Sequence, residues 1–450
     1  MTSLRNRVVS GLLLASLFFF SSVNDALALP AFARKYGLRC SACHEGWPML
    51  NYFGQKFKDN GYQLMNDRDS PIWQNNGYWP VTFRIIPQWH RDGGDKVAVD
   101  QAASGQRQIT STGFDISGLD FHTGGTLEKN ISFYVLPSSD ATGAFHFETV
   151  MARLDNLFGS PWLNLKLGKF ELDNLVSDKR ILTLTSISGA YQTYHFVPVG
   201  DGNIFGQIGD NQLGVEWMGH SLNDRTRVSA ALLSSNDGNV SLSNGANSYS
   251  GFFAASQAFE AGRLGVQRIG AYAMIGQAPT TYFTQGGVAI NGAIGNKSFN
   301  REGFVGLFYF GKLDFQVVTQ HGWDSAWFGA GFGQGPPGPN NGPGVTLPTG
   351  ARAPSWNGFL VETHYVYSPQ LIFIQRSEWE RMSQQALPTN AANLGNIDMY
   401  TFGFRYYPIM TSRAGFAWHN EYSWVRRRGV APDLTDLTSS SLLTGFDFDF

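Results

Sequence analysis

Cys40-Ser41-Ala42-Cys43-His44 sets two thiols three residues apart, with an imidazole directly after the second. Each thiol can add across one vinyl group of a haem. The adjacent histidine then lies beneath the iron as proximal ligand, which is the chemistry of the C-x-x-C-H pattern. A bare C-x-x-C could serve instead as a redox dithiol or as half of a zinc site. These two are the only cysteines of the chain, and the histidine follows them directly. Both facts favour one covalent haem c. With both thiols used in this way, no disulfide is left to staple the fold.

The second axial position has several candidate donors. Met49 and Met65 lie in the same N-terminal stretch, and a methionine ligand would raise the haem potential. Met49 follows Pro48 near the start of an expected helix and close to His44, which makes the opposite haem face awkward to reach. Three pairs at i, i+2 spacing offer imidazoles beside carboxylates: His146/Glu148, Glu362/His364 and His419/Glu421. Neutral imidazole ligates iron, and a nearby carboxylate can orient the ring. The same pairs also suit a hydrated polar lumen, and a water or an open site would complete the iron as well. Arg34, Lys35 and Arg39 could pair with haem propionates; solvated charge near a chain terminus explains them equally.

These groups need elements to hold them. Residues 1–28 read as a signal peptide: Arg5 and Arg7, an apolar run from Val8 to Phe20, then Ala26-Leu27-Ala28 as a cleavage site. Residues 29–79 form a short module with one expected helix, running from Pro48 in its first turn to an Asn60-Gly61 stop, with Leu50, Phe53 and Phe57 on one face. Residues 80–450 are glycine- and aromatic-rich and weakly charged. No run there approaches the roughly 20 apolar residues of a membrane helix. A net charge of −2 argues against a nucleic-acid partner.

Alternation of side chains dominates this last part. Leu442, Thr444, Phe446, Phe448 and Phe450 share one face, with Leu443, Gly445, Asp447 and Asp449 on the other. Tyr400–Tyr406, Phe416–Trp424 and Leu163–Leu167 repeat the pattern. An apolar face backed by small or polar residues fits a lipid-facing wall around a wet lumen. A soluble barrel would point the apolar face inward, and alternation alone does not distinguish the two. Tyrosine and tryptophan near strand ends favour interfacial girdles, hence outer-membrane lipid outside. The expectation is a transmembrane antiparallel β-barrel of about 16 strands, the first two running over Val81–His90 and Thr112–His122, with short turns alternating with mostly long loops. Long loops are expected at Arg91–Ser111, Glu171–Asn211, Gln277–Glu302 and His321–Ser355.

An even strand count puts both chain ends on one side, expected to be the periplasmic one. A module of about 50 residues is marginal by itself, and one helix does not enclose a haem. The module is therefore expected to fold back as a plug whose pocket the lumen completes. A small cytochrome hanging free in the periplasm is the other arrangement.

Ala31-Phe32-Ala33-Arg34-Lys35-Tyr36-Gly37, the Cys40–His44 motif, Pro48, Leu50-Asn51, Phe53-Gly54, Phe57 and Asn60-Gly61-Tyr62 together resemble the opening of the fused monohaem cytochrome–porins. The outer-membrane iron-oxidising cytochromes are the best-known members. The resemblance is local to Pro30–Tyr62, with leader, length and C-terminal aromatic strand of the same type. It implies a haem held by Cys40, Cys43 and His44, with electrons passing from extracellular Fe(II) to a periplasmic cytochrome or cupredoxin. The motif defines the haem module and not the donor. A haem-plugged passive porin and a soluble periplasmic haem protein are the competing functions.

Overall fold

The computed structural model describes residues 30–36, 38–46, 49–64, 81–98, 106–139, 143–175, 193–196, 208–209, 211–234, 248–279, 284–285, 288–289, 296–326, 352–384, 396–410, 414–428 and 436–450. The leader falls outside them. Sixteen antiparallel strands close into a barrel in sequence order. They are β1 (Val81–Ala98), β2 (Gln106–Glu128), β3 (Ile131–Ser139), β4 (Phe145–Leu154), β5 (Asn164–Phe170), β6 (Gln212–His220), β7 (Thr226–Ser234) and β8 (Tyr249–Glu260). The second half comprises β9 (Val266–Pro279), β10 (Asn296–Phe310), β11 (Leu313–Asp324), β12 (Ser355–Ser368), β13 (Leu371–Gln384), β14 (Ile397–Met410), β15 (Gly415–Arg427) and β16 (Leu437–Asp449).

Closure comes from the two ends of the chain. Strand β16 pairs with β1, and Phe83 and Phe450 exchange backbone N–H···O bonds at 2.8 and 2.9 Å. Because strand side chains alternate, this register puts Asp447 and Asp449 in the lumen, where they are buried, and leaves Phe446, Phe448 and Phe450 exposed on the outer face. The same phase holds around the wall. Leu167, Trp217, Leu232, Phe253, Ile269, Phe304, Phe402 and Trp418 are exposed, whereas Lys166, Glu216, Arg301, Glu362, Arg376 and Arg405 are buried. A polar interior behind an apolar skin is the lipid-facing arrangement.

Aromatic rings collect at two heights on that skin. Phe359, Trp379, Tyr400 and Trp424 form a row with centroid spacings of 5.6, 6.1 and 5.8 Å. Near the chain ends, Phe83 stacks on Phe450, and Phe416 lies against Phe446 and Phe448. Phe416 and Trp424 are eight residues apart on β15. That is roughly 27 Å along the strand, or about 20 Å once the strand tilt is removed, close to the apolar height of an outer-membrane barrel.

Several expected boundaries change; β10, for one, starts at Asn296 inside the expected loop Gln277–Glu302. The predicted loop Arg91–Ser111 is mostly strand: β1 continues to Ala98 and β2 starts at Gln106. Its sequence is polar at successive positions, so no alternation marked a strand there. The N-terminal module, expected to hold one helix, has three: α1 (Pro30–Tyr36), α2 (Cys40–Cys43) and α3 (Tyr52–Asp59). Pro48, which lies outside the described residues, does not begin α3. Asn51 caps it, its side-chain oxygen accepting from Gly54 N at 2.9 Å. Met49–Leu50 pairs instead with His44–Gly46 as a short ribbon. The buried face of α3 is Gly54, Gln55 and Phe57, not Phe53, which is exposed.

The module lies inside the barrel at the end of the short turns, as a plug. Arg153 on β4 donates to the last carbonyls of α3, Lys58 O at 2.7 Å and Asp59 O at 2.6 Å. Arg227 on β7 binds Asp59 at 2.6 Å, and Lys58 pairs with Glu171. Aromatic packing completes the dock: Phe32 stacks on Tyr62 at 4.8 Å, and Tyr62 lies 5.8 Å from Tyr134 of β3. Higher in the lumen, Thr193–Phe196 folds inward from the connection between β5 and β6. Thr193 Oγ1 donates to Glu380 at 2.8 Å, Gln320 donates to Thr193 O at 2.9 Å, and Phe196 packs edge-on against the buried Trp356.

Candidate functional site between plug and wall

Gly54 explains how α3 reaches the motif. A Cβ at this position would sit 2.0 Å from Cys43 O, so only glycine lets α3 cross the end of α2 at backbone contact. Gly61, with φ +70°, turns the chain out of α3 toward Tyr62. Asn51 then ties the two together, its amide donating to Ala42 O at 3.1 Å.

This crossing brings Cys40, Cys43 and His44 to one cavity of about 200 Å³. Phe32, Ala33, Leu50, Gly54, Phe57 and Tyr62 form its plug side, and Thr82, His122, Thr123, Gly124 and Tyr134 its barrel side. Its surface is mostly apolar, the environment a porphyrin face requires. The two thiols are not joined to each other. His44 Nδ1 lies 3.2 Å from Met49 O. A carbonyl only accepts, so the proton of the neutral ring sits on Nδ1 and the lone pair on Nε2, the tautomer in which a histidine binds a metal. Thiol pair, oriented imidazole and apolar walls fit a covalently held haem. Burial pushes the Cys43 thiol up to about 11, so in the docked plug it is a poor nucleophile near neutrality.

The other predicted residues divide sharply. Arg39 lines the cavity and is exposed, as a propionate partner would be. Lys35 is absent from the cavity lining and its ammonium sits 5.2 Å over the Tyr36 ring. The Arg34 side chain and all of Met65 lie outside the described residues. Met49 is turned away: its sulfur accepts from Gln316 Nε2 at 3.1 Å, and it borders a different cavity together with Glu45 and Asp314.

None of the three expected histidines reaches the site. His146 pairs across to Ser138 on the lumen side of β4, but at an exposed position. His364 is buried with both ring nitrogens held, Nδ1 at 2.5 Å from Asp314 and Nε2 at 2.6 Å from Glu362. His419 Nε2 lies 3.0 Å from Glu421, beside Arg405. The last two pairs belong to the buried ionic lining of the lumen.

The histidine that does line the cavity is His122 on β2, which the sequence reading passed over. Its Nδ1 lies 2.6 Å from Tyr134 Oη, and its Nε2 is 3.9 Å from Asp120. The available signal was Asp120/His122, an acid–histidine pair at the same i, i+2 spacing as the three pairs that were noticed. Gly124, two residues further on the same face, leaves room for the plug: a Cβ there would lie 2.7 Å from the Tyr134 ring and 3.3 Å from Phe32.

No protein-family model matches the chain, and a search of curated proteins gives no match. Solved structures do resemble it. An anion-selective porin from Comamonas acidovorans aligns at TM-score 0.49 and 11% identity, over 82% of this chain and 99% of that one. A loop-deletion mutant of the outer-membrane protein OmpT of Vibrio cholerae gives TM-score 0.46 and 10% identity over 82% and 100%. The outer-membrane channel DcaP of Acinetobacter baumannii gives 0.46 and 10% over 81% and 96%.

Proposed function

We propose that the chain is an outer-membrane barrel whose plug carries one covalent haem c, and that it moves single electrons inward from an extracellular donor, Fe(II), to a soluble periplasmic cytochrome or cupredoxin. The observation that carries this reading is the convergence of both thiols and an oriented His44 on one apolar cavity closed by the barrel wall. A haem held there supplies a reversible one-electron site, which suits a one-electron donor.

The chain's own residues have defined parts in this. Cys40 and Cys43 anchor the group, His44 presents Nε2, Arg39 offers a cation at the solvent edge, and Phe32, Phe57 and Tyr62 exclude water. Short turns face the periplasm in barrels of this type, which supports a plug and chain ends at the inner mouth. The soluble carrier thus approaches the nearer side, and the outer transfer is the longer one. Oxidising Fe(II) at the outer side keeps insoluble Fe(III) out of the periplasm.

A passive pore is the second reading, and the 16-strand barrel architecture itself favours it. Against free diffusion stand the plug and the inward-folded Thr193–Phe196, beside which Glu378, Glu380, Arg301 and Trp356 are all but inaccessible. Planar-bilayer conductance combined with stopped-flow haem reduction by Fe(II) in intact cells separates the two. Low conductance with rapid reduction is expected. Large open-channel currents with an unreduced haem would establish the pore instead.

A further inference from the structure

Resting on the haem reading above, the geometry points to a second, barrel-borne half of the iron site. We propose that His122 supplies the distal nitrogen to the iron of a haem held by Cys40, Cys43 and His44, with Tyr134 as its positioning residue.

Three observations carry this. First, among the described residues lining the cavity, His122 is the histidine contributed by the barrel wall, and no methionine lines it. His44 comes from the plug, so the two imidazoles approach the same space from opposite partners. Second, the ring is held through its Nδ1, as ligating histidines are. Its Nδ1 sits 2.6 Å from Tyr134 Oη. When Nδ1–H donates to that oxygen, Nε2 carries the lone pair. His44 shows the same division, with Nδ1 toward Met49 O. Third, Tyr134 is also where the plug docks, through its stacking on Tyr62. One side chain therefore ties seating of the plug to the attitude of His122.

The competing donors are committed elsewhere. The Met49 sulfur faces Gln316 in a separate cavity, and His364 is held by two carboxylates. Lys58, which does line the cavity, is paired with Glu171. Asp120, 3.9 Å from His122 Nε2, keeps Arg84 and Ser138 as partners when the imidazole binds iron. The physical consequence is a coordination sphere split between two structural units. The plug alone would offer the iron one nitrogen, from His44, and only the docked plug would add a second, from His122.

The test uses the full-length, membrane-assembled protein and the variants His122→Ala, His122→Met, Tyr134→Phe and His364→Gln. Haem staining on a denaturing gel comes first, and loss of covalent haem from the wild type would sink the underlying haem reading and not this assignment. Given covalent haem, the wild type should be low-spin by electron paramagnetic resonance and slow to bind carbon monoxide when reduced. His122→Ala should become high-spin and bind carbon monoxide readily. His122→Met should stay low-spin with a raised midpoint potential, and it keeps the test alive if the alanine variant fails to assemble. Tyr134→Phe should keep the ligand but loosen it, binding carbon monoxide faster than wild type. His364→Gln should match the wild type. A high-spin wild type would overturn the proposal, and so would a His122→Ala or His122→Met spectrum indistinguishable from wild type.

Discussion

Replacing Gly54 by alanine tests whether the seat of the plug depends on backbone contact between α3 and α2. The added Cβ would meet Cys43 O at 2.0 Å, Cys43 C at 2.8 Å and Cys43 Cα at 3.0 Å. All three are backbone atoms, so no rotamer change relieves the clash and α3 has to move away by more than an ångström. That shift pulls Phe57 from its edge-on contacts with Phe32 and Tyr36, at 5.4 and 5.7 Å. Overpacking of this kind costs about 1–3 kcal/mol. At tenfold per 1.4 kcal/mol, the open plug should become roughly 5- to 150-fold more populated. Trypsin cleavage at Lys56 and Lys58 in folded protein reads that population directly when reclosing is fast. Gly113, whose Cβ would meet nothing within 4 Å, gives the control substitution. Equal cleavage rates for Gly54→Ala, Gly113→Ala and wild type would refute the contact argument.

Two further outcomes follow from charged groups. Glu45 is held above the ordinary carboxylate range, first by burial and then by Asp314, with His364 acting the other way. A carboxyl raised in the docked state binds its proton more tightly there than in the undocked chain, where its value is about 4.3. Docking is therefore strongest below that pH and weakens as pH rises through the raised value. Tryptic cleavage of the plug should increase over that window, and Glu45→Gln should flatten the dependence; an unchanged slope counts against the assignment. Asp447 is buried between Arg84, which it binds at 2.8 and 2.9 Å, and Arg405. Asp447→Asn leaves two cations facing one another at the seam of β1, β14 and β16, and should cost near the low end of about 3–5 kcal/mol. The low end applies because Asp120 also lies 3.8 Å from Arg84. Loss of heat-modifiable barrel migration at lower temperature measures it, and an unshifted transition would refute the ion-pair reading.

The sequence by itself determined the two faces of the wall and marked the thiol–imidazole motif at its N-terminus. Alternation is a local property: Phe446, Asp447, Phe448 and Asp449 fix which residues share a face without reference to any other strand, while closure of the barrel decided that the apolar face points outward. The Cys40–His44 motif is local for the same reason, since one turn of chain presents both thiols and the imidazole. Tertiary structure alone decided what stands across from them. The cavity joins residues 32–62 to 82, 122–124 and 134, pairs that no period connects, so the notice given to Glu362/His364 and His419/Glu421 fell on buried ion pairs while Asp120/His122 went unmarked. Thr193–Phe196 entered the lumen unannounced, because a loop's destination is set by contacts with Gln320, Glu380 and Trp356 and not by its own pattern. The first two short helices of the plug escaped similarly: segments of seven and four residues are too short for helical periodicity to register, and they persist because the barrel holds them.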